Sequence, residues 1–491
     1  MSQLRKETIS GVKWGMLQKI TLQPLQLVYG MVLARLISPT EMGIVGLTAV
    51  FFAVANALAM AGFGVALIRK QDRTEADINT MFWFNLGMSL VLSVTLFLLA
   101  PWFADFYQQS ELLWLTRVSA IMMLLSSSVG VHWTLYQCRR DFRTPAIVNT
   151  ITAVAGMPVC LVLAWLGWGV WALMWQSVFS SLLTFVIVWF ISPWKPRLIF
   201  SRTSFITLFS FGSKIACSGI LHVLYQNART FIIGKFYSPA HLGLYTRGVH
   251  LTWFMPLTIT GVLREVSYPV LSTVQDDNER LIPAYRMYIK VSTLIIAWIC
   301  MCFLSMGTPA VELIYGENWL GCAVFVKIVA LGVAVDHISP INLSFLMVKG
   351  KANLLFWLEI VKKTVSVSLL IGAATISVEA ICWASVIYTH VAIGFNTYFV
   401  GKMTGLTWWK QQKDFMPYVV WAAISCVPAW LCSMTEWNCV LQLAVGGSSA
   451  FLLYFGGLHT IHDSAYVELY NMLRQKLGNR WLPQLKKTQI N

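Results

Sequence analysis

The chain has little charge. Aspartate, glutamate, lysine and arginine make up only 12% of its 491 residues, with 21 acidic side chains against 36 basic ones. A soluble globular domain carries roughly twice that share of charged residues, so a water-facing fold is excluded. The sequence also has no glycine-rich phosphate loop, no His/Cys cluster at metal-ligand spacing and no nucleophile set beside a base. It therefore gives no sign of a catalytic centre, a metal or any other cofactor. Ten cysteines are present, but Cys160, Cys217, Cys300, Cys302, Cys382 and Cys426 fall inside apolar runs, where Cys acts as a small hydrophobe rather than part of a disulfide framework. No cleavable signal peptide is expected, because no small-residue cleavage site follows a short apolar core near the start.

Apolar residues fill the space: 57% of the chain, with a mean hydropathy of +0.65. They come in runs of roughly 20 residues, the length needed to cross a bilayer as a helix. Six runs, 12–37, 43–68, 80–100, 113–136, 145–166 and 169–191, form a first block. Six more, 205–236, 245–268, 286–306, 325–348, 354–375 and 380–400, form a second, and 415–434 and 439–458 follow. The expectation is an all-α integral membrane protein of about fourteen transmembrane helices.

Lysine and arginine gather in alternate joints, as in Arg69/Lys70/Arg73, Arg139/Arg140/Arg143, Lys195/Arg197/Arg202 and Lys410/Lys413. Cytoplasmic loops retain such residues and translocated loops exclude them, so both termini are expected in the cytoplasm. The excess of positive charge then follows from topology, and no nucleic-acid partner is implied.

An internal echo divides the chain. Ser38-Pro39-Thr40-Glu41-Met42-Gly43 returns 200 residues later as Ser238-Pro239-Ala240-His241-Leu242-Gly243, and each copy follows the first span of its block. Gly11-Val12-Lys13 and Gly212-Ser213-Lys214 repeat at nearly the same offset. Duplicated bundles are common among transporters. The pattern predicts two pseudo-symmetric six-helix lobes, 1–200 and 201–402, two extra helices within 403–460 and a cytoplasmic tail over 461–491.

Ionisable groups at membrane depth cost about 3 kcal/mol or more and usually face a cavity. The first span carries Lys19 and Gln23. Its counterpart, the seventh, carries Lys214, His222, Gln226, Asn227 and Arg229. If these two helices face one cleft, Lys19, Lys214, Arg229, His222, Gln23 and Asn227 become substrate-binding candidates. Their charge suits an anionic cargo, which Lys and Arg grip by charge-assisted hydrogen bonds. Lys214 fits an interfacial, snorkelling position equally well, and Arg35, Lys235 and Arg247 read as interface anchors. Asp336-His337 in the tenth span is the acidic site to consider for ion coupling, with a pairing of Asp336 to a lobe arginine or a structural break before Pro340 as the other readings. Glu359, Lys362 and Lys363 have the spacing to neutralise one another within one helix. Pro24, Pro158, Pro256 and Pro340 are candidate bends. Residues 307–324 read as the longest translocated loop, and 466–477 as an amphipathic surface segment touching membrane lipid.

Four segments resemble the polysaccharide transporter family, within the multidrug, oligosaccharidyl-lipid and polysaccharide exporter superfamily. They are Thr8-Ile9-Ser10-Gly11-Val12-Lys13-Trp14, the joint from Leu33 to Gly43, Tyr268-Pro269-Val270-Leu271-Ser272 with Gln275-Asp276-Asp277, and Tyr315-Gly316-Glu317-Asn318-Trp319. The resemblance implies a two-lobed V-shaped fold with a basic central cavity. It further implies transfer of an undecaprenyl-pyrophosphate-linked oligosaccharide to the periplasmic leaflet of a bacterial inner membrane by alternating access. The partners it implies are lipid-linked oligosaccharide, membrane lipids and a polysaccharide polymerase or other assembly proteins. A drug or metabolite antiporter of the same superfamily stays open as an alternative, although its key intramembrane groups would be acidic. A membrane glycan polymerase or ligase would need a larger catalytic loop than 307–324 provides.

Overall fold

The computed structural model describes residues 2–60, 62–273 and 277–477. Every regular element among them is helical. In chain order these are α1 (Ser2–Leu36), α2 (Pro39–Met60), α3 (Phe63–Arg69), α4 (Glu75–Tyr107), α5 (Glu111–Cys138), α6 (Arg143–Trp165), α7 (Val170–Ile191), α8 (Arg202–Phe236) and α9 (Pro239–Thr273). There follow α10 (Asn278–Tyr315), a 3-10 turn (Glu317–Cys322), α11 (Ala323–Asp336), α12 (Ile338–Val348), α13 (Ala352–Ala374), α14 (Val378–Thr404), α15 (Trp408–Ser425), α16 (Val427–Cys432), α17 (Cys439–Thr460) and α18 (Ser464–Leu477). Eleven described stretches are long and apolar enough to cross a membrane. Their outward side chains suit lipid: Leu98 is 71% exposed, Phe190 85% and Leu452 68%, which water would penalise and acyl chains do not. The side chains of Lys13, Arg264 and Glu265, and residues 478–491, lie outside the described residues.

The chain separates into two compact units, Met1–Gly243 and Leu244–Asn491. The cut lies beyond the expected lobe boundary at residue 200 because α8 packs within the first unit, against α2, α3 and α4. In that unit α4 pairs with α5, α6 with α7 and α1 with α6. Phe63, Leu67, Met81, Phe82 and Leu208 form a core cluster that ties α3, α4 and α8 together. In the second unit α10 is central, with 61% of its most apolar stretch buried against 11% for α7 in the first unit. It packs on α11, α15 and α17.

Four expectations are corrected. The run 43–68 is not one helix: Gly62 takes φ 67°, a left-handed conformation open to glycine, and divides α2 from α3. The run 325–348 breaks at His337 and 415–434 at Cys426. Residues 307–324 are not a loop. Instead α10 continues to Tyr315, and Pro309, which cannot accept an interior helix position without a distortion, is accommodated by a kink at Met306 (φ −114°, ψ 21°). Pro24 and Pro158 lie inside α1 and α6, where the helices continue.

The sequence echo is a repeated helix start. Ser38 and Glu41 form a capping box at α2: the Ser38 backbone N–H and hydroxyl both donate to Glu41 Oε2 at 2.7 Å. At α9 Ser238 takes the same place, its hydroxyl 2.7 Å from His241 Nδ1. Pro39 and Pro239 begin the two helices, where a missing N–H costs nothing.

Candidate functional site

The polar residues of the seventh span lie along α8. Lys214, His222 and Gln226 are exposed, while Asn227 and Arg229 are half-buried. Asn227 donates from Nδ2 to its own helix at Val223 O, 2.8 Å away. Arg229 buries its Nε without a hydrogen-bond partner among the described residues, a costly arrangement that an incoming acceptor would relieve. Lys19, exposed, and Gln23, half-buried, stand on α1. The two groups share no main packing partner, since α1 rests on α6 and α8 on α2, α3 and α4. The structure therefore groups Lys214, His222, Asn227 and Arg229 on one helix and carries Lys19 and Gln23 on another.

Between α2, α4 and α8 lies a cavity of about 520 Å³. Its wall is apolar, with Phe51, Leu58, Leu96, Phe103 and Phe231 prominent, and Asn227 as the one amide. At the end of α8, Lys235 donates to Phe106 O at 2.7 Å and lies 3.7 Å from the Phe106 ring centre. This is the tethered geometry expected of an anchor. Arg247 of α9 similarly stands 5.8 Å from the centre of the Tyr315 ring. The ten cysteines are free thiols, and Cys217, on α8 between Lys214 and His222, is the exposed one.

Asp336 and His337, adjacent in sequence, point to different neighbours. His337 is buried, with Nε2 2.8 Å from the Thr293 hydroxyl of α10. Asp336 is half-buried and accepts from the Thr389 hydroxyl of α14 at 3.4 Å. Both sit at the break between α11 and α12, so the dipeptide does mark an interruption, and the hydroxyl partners of the two side chains lie on different helices, α10 and α14. Glu359 and Lys362 make the expected intrahelical pair at 2.5 Å.

Sequence reading missed a polar core in the second unit. Tyr285, Asn342, Thr397 and Gln411 form a closed, buried hydrogen-bond network linking α10, α12, α14 and α15. Beside it Arg286 grips Asp414 with two bonds of 2.7 Å, and Lys290 stands 3.7 Å from the same carboxylate. The available signal was Asp414 as a lone acid entering an apolar run, with Arg286 and Lys290 four residues apart on one helix face.

Eleven stretches long and apolar enough to cross a membrane among the described residues define a polytopic membrane protein. The chain belongs to the polysaccharide biosynthesis protein family, which its residues 32–324 match. It is similar to the teichuronic acid biosynthesis protein TuaB of Bacillus subtilis, at 23% identity over 92% of this chain and 95% of that one. The succinoglycan biosynthesis transport protein ExoT of Rhizobium meliloti is 24% identical over 80% of each chain. The lipopolysaccharide biosynthesis protein WzxC of Escherichia coli is 24% identical over 73% of each. Among solved structures, lipid II flippase MurJ in an inward closed conformation superposes with TM-score 0.71 at 13% identity, over 92% of this chain and 100% of that one. An inward-facing multidrug resistance MATE family transporter gives 0.57 at 16% identity, over 77% and 93%. At these identities the structures share the fold.

Proposed function

We propose that the protein is a flippase that moves undecaprenyl-pyrophosphate-linked oligosaccharide from the cytoplasmic to the periplasmic leaflet by alternating access, for the biosynthesis of a surface polysaccharide. The observation that carries this reading is the alignment over 92% of the chain with a teichuronic acid biosynthesis protein, together with that over 80% of it with a succinoglycan biosynthesis transport protein. A pyrophosphate cannot enter hydrocarbon unaccompanied, because charged groups there cost several kcal/mol each. Lys214, Arg229 and Lys19 supply the compensating charge, and His222, Gln23 and Asn227 offer hydrogen bonds at successive levels along the same two helices, α8 and α1. The Nε of Arg229, buried with no hydrogen-bond partner among the described residues, supports its role toward an anion.

In this reading α1, α9 and α13 cross the membrane beside the eleven most apolar stretches, giving about fourteen spans. The repeated caps at Ser38 and Ser238 support two duplicated lobes. The placement of basic joints supports cytoplasmic termini in an inner membrane. Asp336, at a helix break, is the coupling-ion candidate. A polysaccharide polymerase or another assembly protein receives the cargo on the far side, and no bond in the cargo is made or broken.

The test is translocation of a labelled undecaprenyl-pyrophosphate oligosaccharide in proteoliposomes containing the full chain. Transport by wild type and its loss in a folded Lys214→Ala/Arg229→Ala variant is the expected result. Export of small cations without glycan movement would replace the flippase with an antiporter of the same fold.

A further inference from the structure

The first compact unit contains a second cavity, of about 560 Å³, between α2, α5, α6 and α7. No residue discussed above as a substrate contact lines it. Seven of its fifteen lining residues carry a hydroxyl, Gln176 adds an amide, and none carries a charge. The volume falls within the roughly 300–1,000 Å³ of small-molecule sites. Ala49 and Ser177 are exposed at its rim, while Thr48, Ser119 and Thr152 are buried within it.

Helix packing uses some of these hydroxyls. Thr48, Thr152 and Ser177 donate to carbonyls of their own helices, and Ser180 crosses from α7 to Thr152 O of α6 at 3.3 Å. Ser119, Ser126 and Ser181 make no hydrogen bond to protein among the described residues. Gln176 has its carbonyl engaged: the Tyr29 hydroxyl of α1 donates to Oε1 at 2.5 Å. The amide is thereby turned so that its two N–H donors are the groups left to offer. Phe52 adds an aromatic face, and Leu173 and Met174 an aliphatic one.

This chemistry selects its ligand. An anion would find no cation here, and a metal ion no carboxylate. An alkyl chain would strand the open hydroxyls, at about 1–3 kcal/mol for each group left buried and unpaired. A pyranose ring fits both halves of the wall, with hydroxyls around its rim and a C–H face that lies on an aromatic ring. We propose that this cavity binds an uncharged sugar residue of the cargo, so that the glycan is read apart from the cations on α1 and α8 that meet the pyrophosphate. The proposal rests on the flippase reading for the identity of the cargo, and sugar binding by the cavity is measured independently of transport.

The test uses the full chain in proteoliposomes and a diazirine-bearing N-acetylglucosaminide as photolabel, with excess methyl N-acetylglucosaminide as competitor. The expected result is competable labelling of α5 and α7 peptides, lost in Ser126→Leu and kept in Ser126→Thr, which retains the hydroxyl. Translocation of undecaprenyl-pyrophosphate oligosaccharide should fall at least tenfold in Ser126→Leu and stay near wild type in Ser126→Thr. Labelling confined to other helices, or unchanged in Ser126→Leu, overturns the proposal, as does undiminished glycan transport by that variant. Competable cavity labelling in a wild type that moves no lipid-linked glycan would uphold the sugar site and remove the flippase reading.

Discussion

Gly43 and Pro239 meet so closely that a Cβ on Gly43 would lie 1.8 Å from the Pro239 carbonyl oxygen, and the contact recurs with its roles exchanged, Gly243 against the Pro39 carbonyl at 1.9 Å. The starts of α2 and α9 thus cross at two glycines 200 residues apart, each admitting the other's first proline. Either Gly43→Ala or Gly243→Ala should cost about 1–3 kcal/mol, because a methyl group in a filled contact forces the backbones apart. Thermal unfolding in detergent micelles measures the loss. The double variant should cost less than the sum of the two, since one substitution already separates the crossing. Full additivity would show two independent contacts.

Asp414 is 3% exposed at its side chain and holds both Arg286 and Lys290. Asp414→Asn should lower stability by about 1–3 kcal/mol, less than for a fully buried pair because Arg286 is 41% exposed. Combining it with Arg286→Met should recover part of the loss, since the unpaired cation is then gone. Unfolding midpoints of Asp414→Asn and the double variant against wild type test this.

Arg229→Ala and Lys214→Ala should each reduce translocation of a pyrophosphate-linked glycan about tenfold, the equivalent of one charge-assisted hydrogen bond. Arg229→Lys should recover only part, because a point charge replaces a planar fork. Initial rates in proteoliposomes at matched protein insertion provide the comparison.

Asp336→Asn should abolish the dependence of transport on an imposed proton or sodium gradient. His337→Gln should leave that dependence in place, because its ring is bonded to Thr293 and points away from the carboxylate's partner, Thr389. Transport rates measured with each gradient imposed in turn decide between the two residues.

The eleven apolar stretches were legible because about twenty apolar residues in a row admit few structures in lipid. Their ends were not. α4 begins at Glu75 and α10 continues to Tyr315 because caps, buried polar bonds and neighbouring helices extend them past the apolar windows. The break at Gly62 was hidden because a single glycine leaves hydropathy unchanged. Asp336 and His337 are neighbours in sequence, but successive helical residues project about 100° apart, and adjacency does not show that their hydroxyl partners come from different helices. Asp414 was passed over among Lys410 and Lys413 as part of a basic joint. The hydroxyl cavity left no trace in the pattern, since serine and threonine can bond back to their own helix and sit unremarked in an apolar run.

Cys217 gives the chain a built-in reporter. It is the exposed thiol among ten, and it shares α8 with the cationic candidates. A membrane-impermeant maleimide reacts with a thiol bathed in water and leaves one immersed in acyl chains untouched. Labelling of the unmodified protein in intact and inverted vesicles would therefore tell whether this stretch of α8 meets solvent, and from which side, with no cysteine introduced or removed.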